Sequence, residues 1–203
     1  MANNNQPVPL DYLDQIAPVE NTNKKIGFNL KTIFAILLAT ILLAVILMVA
    51  TNSITSEREE RWQHLYSRLE SLSEIVEDSS SKLKDGQLRN ANSNLKLYTA
   101  STTSDLTTQM EAKGISSKKI SDSITAAESN EAILEELEDG RLNAKYDSTY
   151  AREVSYILET TLSLLKKIST SDNSSSGREF AQSAYDNLEP IYTIISEYDA
   201  ESE

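Results

Sequence analysis

The sequence predicts an all-α protein: an N-terminal single transmembrane helix followed by an antiparallel bundle of four or five helices. Three observations carry that expectation. No ionisable residue occurs between Lys31 and Glu57. Beyond that gap apolar residues recur at three- and four-residue spacing, and no segment alternates with the period of two that marks a half-buried strand. Asp-Gly and Lys-Gly steps and N-cap signatures punctuate those runs at lengths that suit bundle helices.

Residues 32–50, beginning at Thr32 and ending at Ala50, are apolar apart from Thr32 and Thr40. As a helix they extend about 28 Å, close to the roughly 30 Å of a bilayer core. A cleaved secretory signal fits poorly, because its apolar region is about 7–15 residues long and follows a short basic start. Here 31 residues come first, and Met48-Val49-Ala50 puts a large side chain where a small one is needed for cleavage. Lys24-Lys25-Ile26-Gly27-Phe28 resembles the leader of type IV prepilins, which makes a pilin-like appendage subunit an alternative. Against it, Thr32 stands where pilins normally carry Glu, and pilin heads contain a sheet. The expected organisation is a disordered cytoplasmic lead over residues 1–31, an anchor in the lipid bilayer over 32–50, and an acidic bundle over 51–203. Lys24, Lys25 and Lys31 before the span, against Arg58 and Arg61 after it, place the N-terminus in the cytoplasm and the bundle outside. Ala35 and Ala39 form one small-xxx-small pair, a feature compatible with self-association in the membrane.

The formal charge of −12 lies entirely beyond the lead: residues 1–31 carry three acids and three lysines, leaving 28 acids against 16 bases. Such a domain repels nucleic acid and anionic headgroups, so no nucleic-acid partner is expected. The absence of cysteine removes thiol nucleophiles, redox pairs and disulfides.

Three of the four prolines and an Asn/Gln-rich start mark the lead as unstructured, with Pro9 to Pro18, "PLDYLDQIAP", a candidate docking segment for a cytoplasmic protein. Ser56 and Glu59 form a capping box where a first bundle helix can start, although the run from Phe28 to Asp85 has no Gly or Pro, so anchor and helix can also run on nearly continuously. Along it Trp62, Leu65, Leu69, Leu72, Val76 and Leu83 make a heptad-like seam, and Asp85-Gly86 ends it. A second helix from Gln87 to Lys113 turns Leu88, Ala91, Leu95, Tyr98, Leu106 and Met110 inward; its middle, "TASTTSDLTT", is built from weak helix formers. Gly114 closes it. Ser116 caps a third helix with Ile120, Ile124, Ala127, Leu134 and Leu137 on one stripe, which Asp139-Gly140 ends. Asp147 caps a fourth, carrying Tyr150, Val154, Ile157, Thr161, Leu164, Leu165 and Ile168. A flexible link over 169–177 leads to a fifth, capped by Ser176 and Glu179, with Phe180, Ala184, Leu188, Ile191, Ile195 and Tyr198 inward and a kink at Pro190.

Nothing in this pattern assembles chemistry. Di-iron bundles need two Glu-x-x-His pairs, and the single histidine, His64, follows Arg61 at that spacing. His64 is expected on exposed helix surface, within reach of Glu60. The acids Glu131, Glu135, Glu136, Glu138 and Asp139 spread around a solvated helix rather than forming a calcium loop. No catalytic residue, cofactor or metal site is expected. Nine tyrosines, among them Tyr146, Tyr150, Tyr156, Tyr185, Tyr192 and Tyr198, suit bundle seams, with a binding surface as the sharper reading.

The lead "PLDYLDQIAP", the anchor, the run from Leu134 to Leu165 and "AYDNLEP" from Ala184 to Pro190 resemble an uncharacterised family of small single-span bacterial membrane proteins with a helical-bundle ectodomain, found in bacteria with reduced genomes that live on other cells. The resemblance implies a surface-anchored helical protein and brings no activity with it. The function expected is an anchored interaction or scaffold module with a protein partner. An extracytoplasmic sensor acting through a membrane partner is the alternative, since a 31-residue lead is too short for an output domain.

Overall fold

The computed structural model describes residues 30–202, with side chains over 39–44 and 57–198. Six helices account for most of it: α1 (Leu30–Ser79), α2 (Gly86–Ala112), α3 (Asp122–Ala127), α4 (Glu131–Leu142), α5 (Tyr146–Ser171) and α6 (Ser175–Ser202), with no strand among the described residues. The chain divides between Val49 and Ala50 into two compact units. The expected disordered lead lies outside the described residues, as do most side chains of the uncharged run. Among the described residues no helix is long and apolar enough to cross a membrane.

In the second unit, hydrogen bonds at the two ends fix the helix directions. Trp62 and Arg61 on α1 donate to Asp172 and Ser171 at the end of α5, and Lys113 at the end of α2 donates to the same Asp172. At the opposite end Tyr146 at the start of α5 donates to Ser79 of α1, and Asn92 near the start of α2 donates to the Val76 carbonyl. Residues 61–79 of α1 therefore run antiparallel to both α2 and α5, which run parallel to each other. α6 returns antiparallel to α5 after the three residues 172–174. The seam residues Trp62, Leu65, Leu69, Leu72 and Val76 are buried against Leu88, Leu95, Leu106, Tyr150, Val154, Leu158, Leu165, Leu188 and Ile195.

Parallel α2 and α5 require a return crossing, and that is where the expected third helix gives way. The stretch expected as one bundle helix from Ser116 is broken into α3, capped by Ser121, and α4. The break falls at residues 128–130 because α1 takes over their hydrogen bonds: Ser71 Oγ donates to the Glu128 carbonyl, and Asn130 Nδ2 donates to the Ser71 carbonyl and to Glu74. A side chain 57 residues away thus claims a backbone acceptor that would otherwise have continued the helix.

Other boundaries also fall elsewhere than the sequence suggests. No helix begins at Ser56, which lies within α1. α1 ends at Ser79 rather than at Asp85, and Asp85 instead caps α2, accepting from Gln87 N and Leu88 N. Gly114, at φ 73°, closes α2 with Ile115 N bonding Met110 O and Gly114 N bonding Glu111 O, while Ile115 and Met110 are both buried. Gly140 does not end a helix. It sits buried inside α4, where a Cβ would come within 2.5 Å of Thr149 Oγ1, so its role is close approach of α4 to α5. The separation falls at residues 143–145, with Ala144 at φ 60°. Asp147 caps no helix of its own; its carboxylate accepts from Lys84 N and Asp85 N and so holds the α1–α2 turn. The link before α6 is three residues long, with Ser174 Oγ rather than Ser176 accepting from Gly177 N. α6 continues through Pro190 as one helix.

Candidate functional site

The crossover lies over a face of α1 and leaves a cleft there. Arg68 donates twice to Glu128, through Nε at 2.7 Å and Nη2 at 2.8 Å, and His64 Nδ1 lies 2.8 Å from Glu128 Oε1. The Glu128 side chain is 9 % exposed and that of Arg68 20 %. Glu128 reaches this position because it is the C-cap of α3, where the chain leaves helical geometry and can turn inward. His64 is therefore partnered by Glu128 across the fold, where an exposed helix surface beside Glu60 was expected.

Beside this ion pair is a half-enclosed cavity of about 190 Å³. Ile75, Ile133 and Ile157 supply its apolar lining, Arg68, Ser71, Glu128, Ser129, Asn130 and Thr160 its polar lining, and Tyr156, 65 % exposed, also borders it. Native interiors close-pack and leave few voids larger than a water molecule. At roughly 30 Å³ per water this one has room for about six.

The tyrosines divide into two sets. Tyr150 and Tyr146 are core residues whose hydroxyls find buried partners rather than water. Tyr150 donates to Asn92 Oδ1 at 2.7 Å, and Tyr146 donates to Ser79 Oγ at 2.9 Å. Burial pushes the Tyr150 hydroxyl far above the ordinary tyrosine pKa, so it stays a donor at any working pH. Asn92, 2 % exposed, passes the network on to Val76 O and Ser80 Oγ. Replacing Tyr150 with Phe is expected to cost about 1–3 kcal/mol, because Asn92 Oδ1 is left buried without a donor. Urea unfolding checks this, and a midpoint equal to that of the parent protein would show that the network contributes nothing.

Tyr185 and Tyr192, half-buried, line an open groove of about 510 Å³ between α5 and α6 together with Lys166 and Lys167. Lys166 Nζ stands 5.7 Å from the Tyr185 ring centroid. The acids 131, 135, 136, 138 and 139 are all exposed on α4, as their spacing predicts. Among the described residues no group of three or more His, Asp or Glu side chains is arranged to hold a metal ion.

The sequence carried no signal for the cleft. Its ion pair joins residues 60 apart, and the partner acid, Glu128, sits in a stretch whose spacing reads as continuous helix. Comparison of this chain with protein-family models, with characterised proteins and with solved structures gave no match.

Proposed function

We propose that this chain is a membrane-anchored helical bundle that works by presenting surfaces to a protein partner, with no chemistry of its own. One observation carries the anchor. Ile41, Leu42 and Leu43 are 56 %, 59 % and 58 % exposed at consecutive helical positions. Successive side chains point about 100° apart around a helix, so no single protein face covers all three. Lipid does, and the uncharged run from Thr32 to Ala50 has the length for it. With lysines on its N-terminal side the lead is cytoplasmic and the bundle extracytoplasmic.

The partner-facing surface in this reading includes the groove of Tyr185, Tyr192, Lys166 and Lys167. It combines aromatic rings with two lysines and one acid, Glu159, on an otherwise acidic domain. Protease added to intact cells is expected to digest residues 57–203 and spare the lead. Protection of the bundle would reverse the topology, and a mature N-terminus at Phe28 would replace the anchor with a pilin-like subunit. Crosslinking in intact cells is expected to recover envelope or neighbouring-cell proteins on α5 and α6; recovery only of a cytoplasmic protein through residues 9–18 would overturn the display reading. The cavity beside Arg68 favours a second reading, that the bundle also binds a small ligand in the manner of a sensor.

A further inference from the structure

We propose that the cleft between α1, the crossover and α5 is a binding site for a small neutral ring compound bearing one hydroxyl group, such as a phenol or a cyclic alcohol. The inference rests on the ligand-binding reading and gives it a chemical class.

Volume sets the size. A 150 Å³ cavity lined by apolar side chains takes up benzene, so about 190 Å³ accommodates one six-membered ring with a single substituent. The wall of Ile75, Ile133 and Ile157, with the exposed ring of Tyr156 at the rim, offers apolar contact on one side. Such contact stabilises an apolar ring without fixing its orientation.

Charge sets the class. The Arg68 guanidinium meets the Glu128 carboxylate through two short bonds. An anion in the cleft would gain Arg68 and be repelled by Glu128; a cation would meet the reverse. A neutral molecule escapes both penalties in a partly desolvated site.

Unused hydrogen-bonding capacity at Arg68 and Thr160 points to the functional group. Arg68 engages Glu128 through Nε and Nη2, and its Nη1 has no partner among the described residues. Thr160 Oγ1 spends its proton on the Tyr156 and Ile157 carbonyls, which leaves lone pairs to accept. The polar side thus offers a donor at Arg68 and an acceptor at Thr160. A hydroxyl both accepts and donates, which a ketone or ether oxygen does not.

The test uses the full chain, with isotope-labelled isoleucine methyl groups as protein-side reporters. Phenol is the probe, with benzoate and benzylamine as its charged counterparts. Phenol is expected to shift the Ile75, Ile133 and Ile157 signals saturably while Ile191 and Ile195 stay in place. Half-saturation for the charged probes is expected at about ten-fold higher concentration or more. Ala127→Phe, a change at an exposed residue of the cleft wall, is expected to abolish the response. Thr160→Val is expected to weaken it about five-fold, and unshifted Ile191 and Ile195 signals would report an intact core in each variant. Equal or better binding of benzoate or benzylamine would overturn the neutral class while leaving ligand binding in place. No saturable shift with any probe would overturn both, and a response that survives Ala127→Phe would place the site elsewhere.

Discussion

Replacement of Trp62 by alanine is expected to be the most damaging single change in the bundle, costing about 3–5 kcal/mol. Against a total stability of roughly 5–15 kcal/mol for a domain, that is a large fraction. Trp62 is 2 % exposed and stacks on Phe180 of α6, with ring centroids 5.8 Å apart. Lys113, just after α2, lies over its ring at 4.8 Å, and its indole N–H donates to Asp172 after α5 at 3.2 Å. One side chain therefore touches every other long helix at this end of the bundle, so removing it opens a cavity and strips partners from three elements together. Chemical denaturation is the check: the midpoint should fall with little change in slope. A loss below about 1 kcal/mol would mean that the neighbours collapse into the gap.

Asp172 gives the same knot a dependence on pH. Burial raises its carboxyl pKa, but hydrogen bonds from Lys113 Nζ, Ser174 Oγ and Ser174 N–H outweigh that and hold it below the ordinary 3.8. The folded state therefore prefers the ionised form. Its contribution to stability is complete above the unfolded carboxyl pKa and is lost as pH falls through the lower folded value. Asp172→Asn keeps the shape and removes the charge, so the variant should be less stable than the parent at neutral pH. The gap should narrow as the solution is acidified below about pH 4. A gap independent of pH would place the effect in packing rather than in the Lys113 contact.

What the sequence revealed of this fold, and what it hid, divides by the range of the forces involved. Local periodicity located the seam from Trp62 to Val76, the inward faces of α5 and α6, and the glycine closing α2 at Gly114, because each is decided within a few residues. It misjudged positions where side chains distant in sequence compete for backbone groups. Asp147 is well placed to cap its own helix, yet the Lys84 and Asp85 amides claim it. Tyr98 fits the inward stripe of α2 but is 39 % exposed, while Thr99 and Thr102 are buried beside it, so the stripe in that weak middle follows the turn of the helix rather than hydrophobicity. Thr99 Oγ1 and Thr103 Oγ1 are buried there without a partner among the described residues. The division of the expected third helix rests on the bonds of Ser71 and Asn130, and the cleft beside it on Glu128, whose burial no pattern of spacing reports.

That dependence makes Glu128 the second test of the architecture. Glu128→Ala is expected to cost about 2–4 kcal/mol, because it leaves the largely buried Arg68 guanidinium without its counter-charge. The upper end of the usual range for a broken buried pair is not reached, since Arg68 retains some access to water. Glu128→Gln keeps the volume and one acceptor oxygen and should cost about half as much. The loss should be concentrated in the crossover. α3 has six residues and α4 twelve, lengths at which an isolated helix is marginal, so both depend on tertiary attachment. Amide exchange is therefore expected to accelerate across residues 116–142 in Glu128→Ala, while the cores of α5 and α6 keep their protection. A double-mutant cycle with Arg68→Ala isolates the pair, with an expected coupling of about 1–3 kcal/mol. Additive single effects, or exchange that rises uniformly along the chain, would show that the crossover is held by the apolar contacts of Ile124 and Leu137 instead.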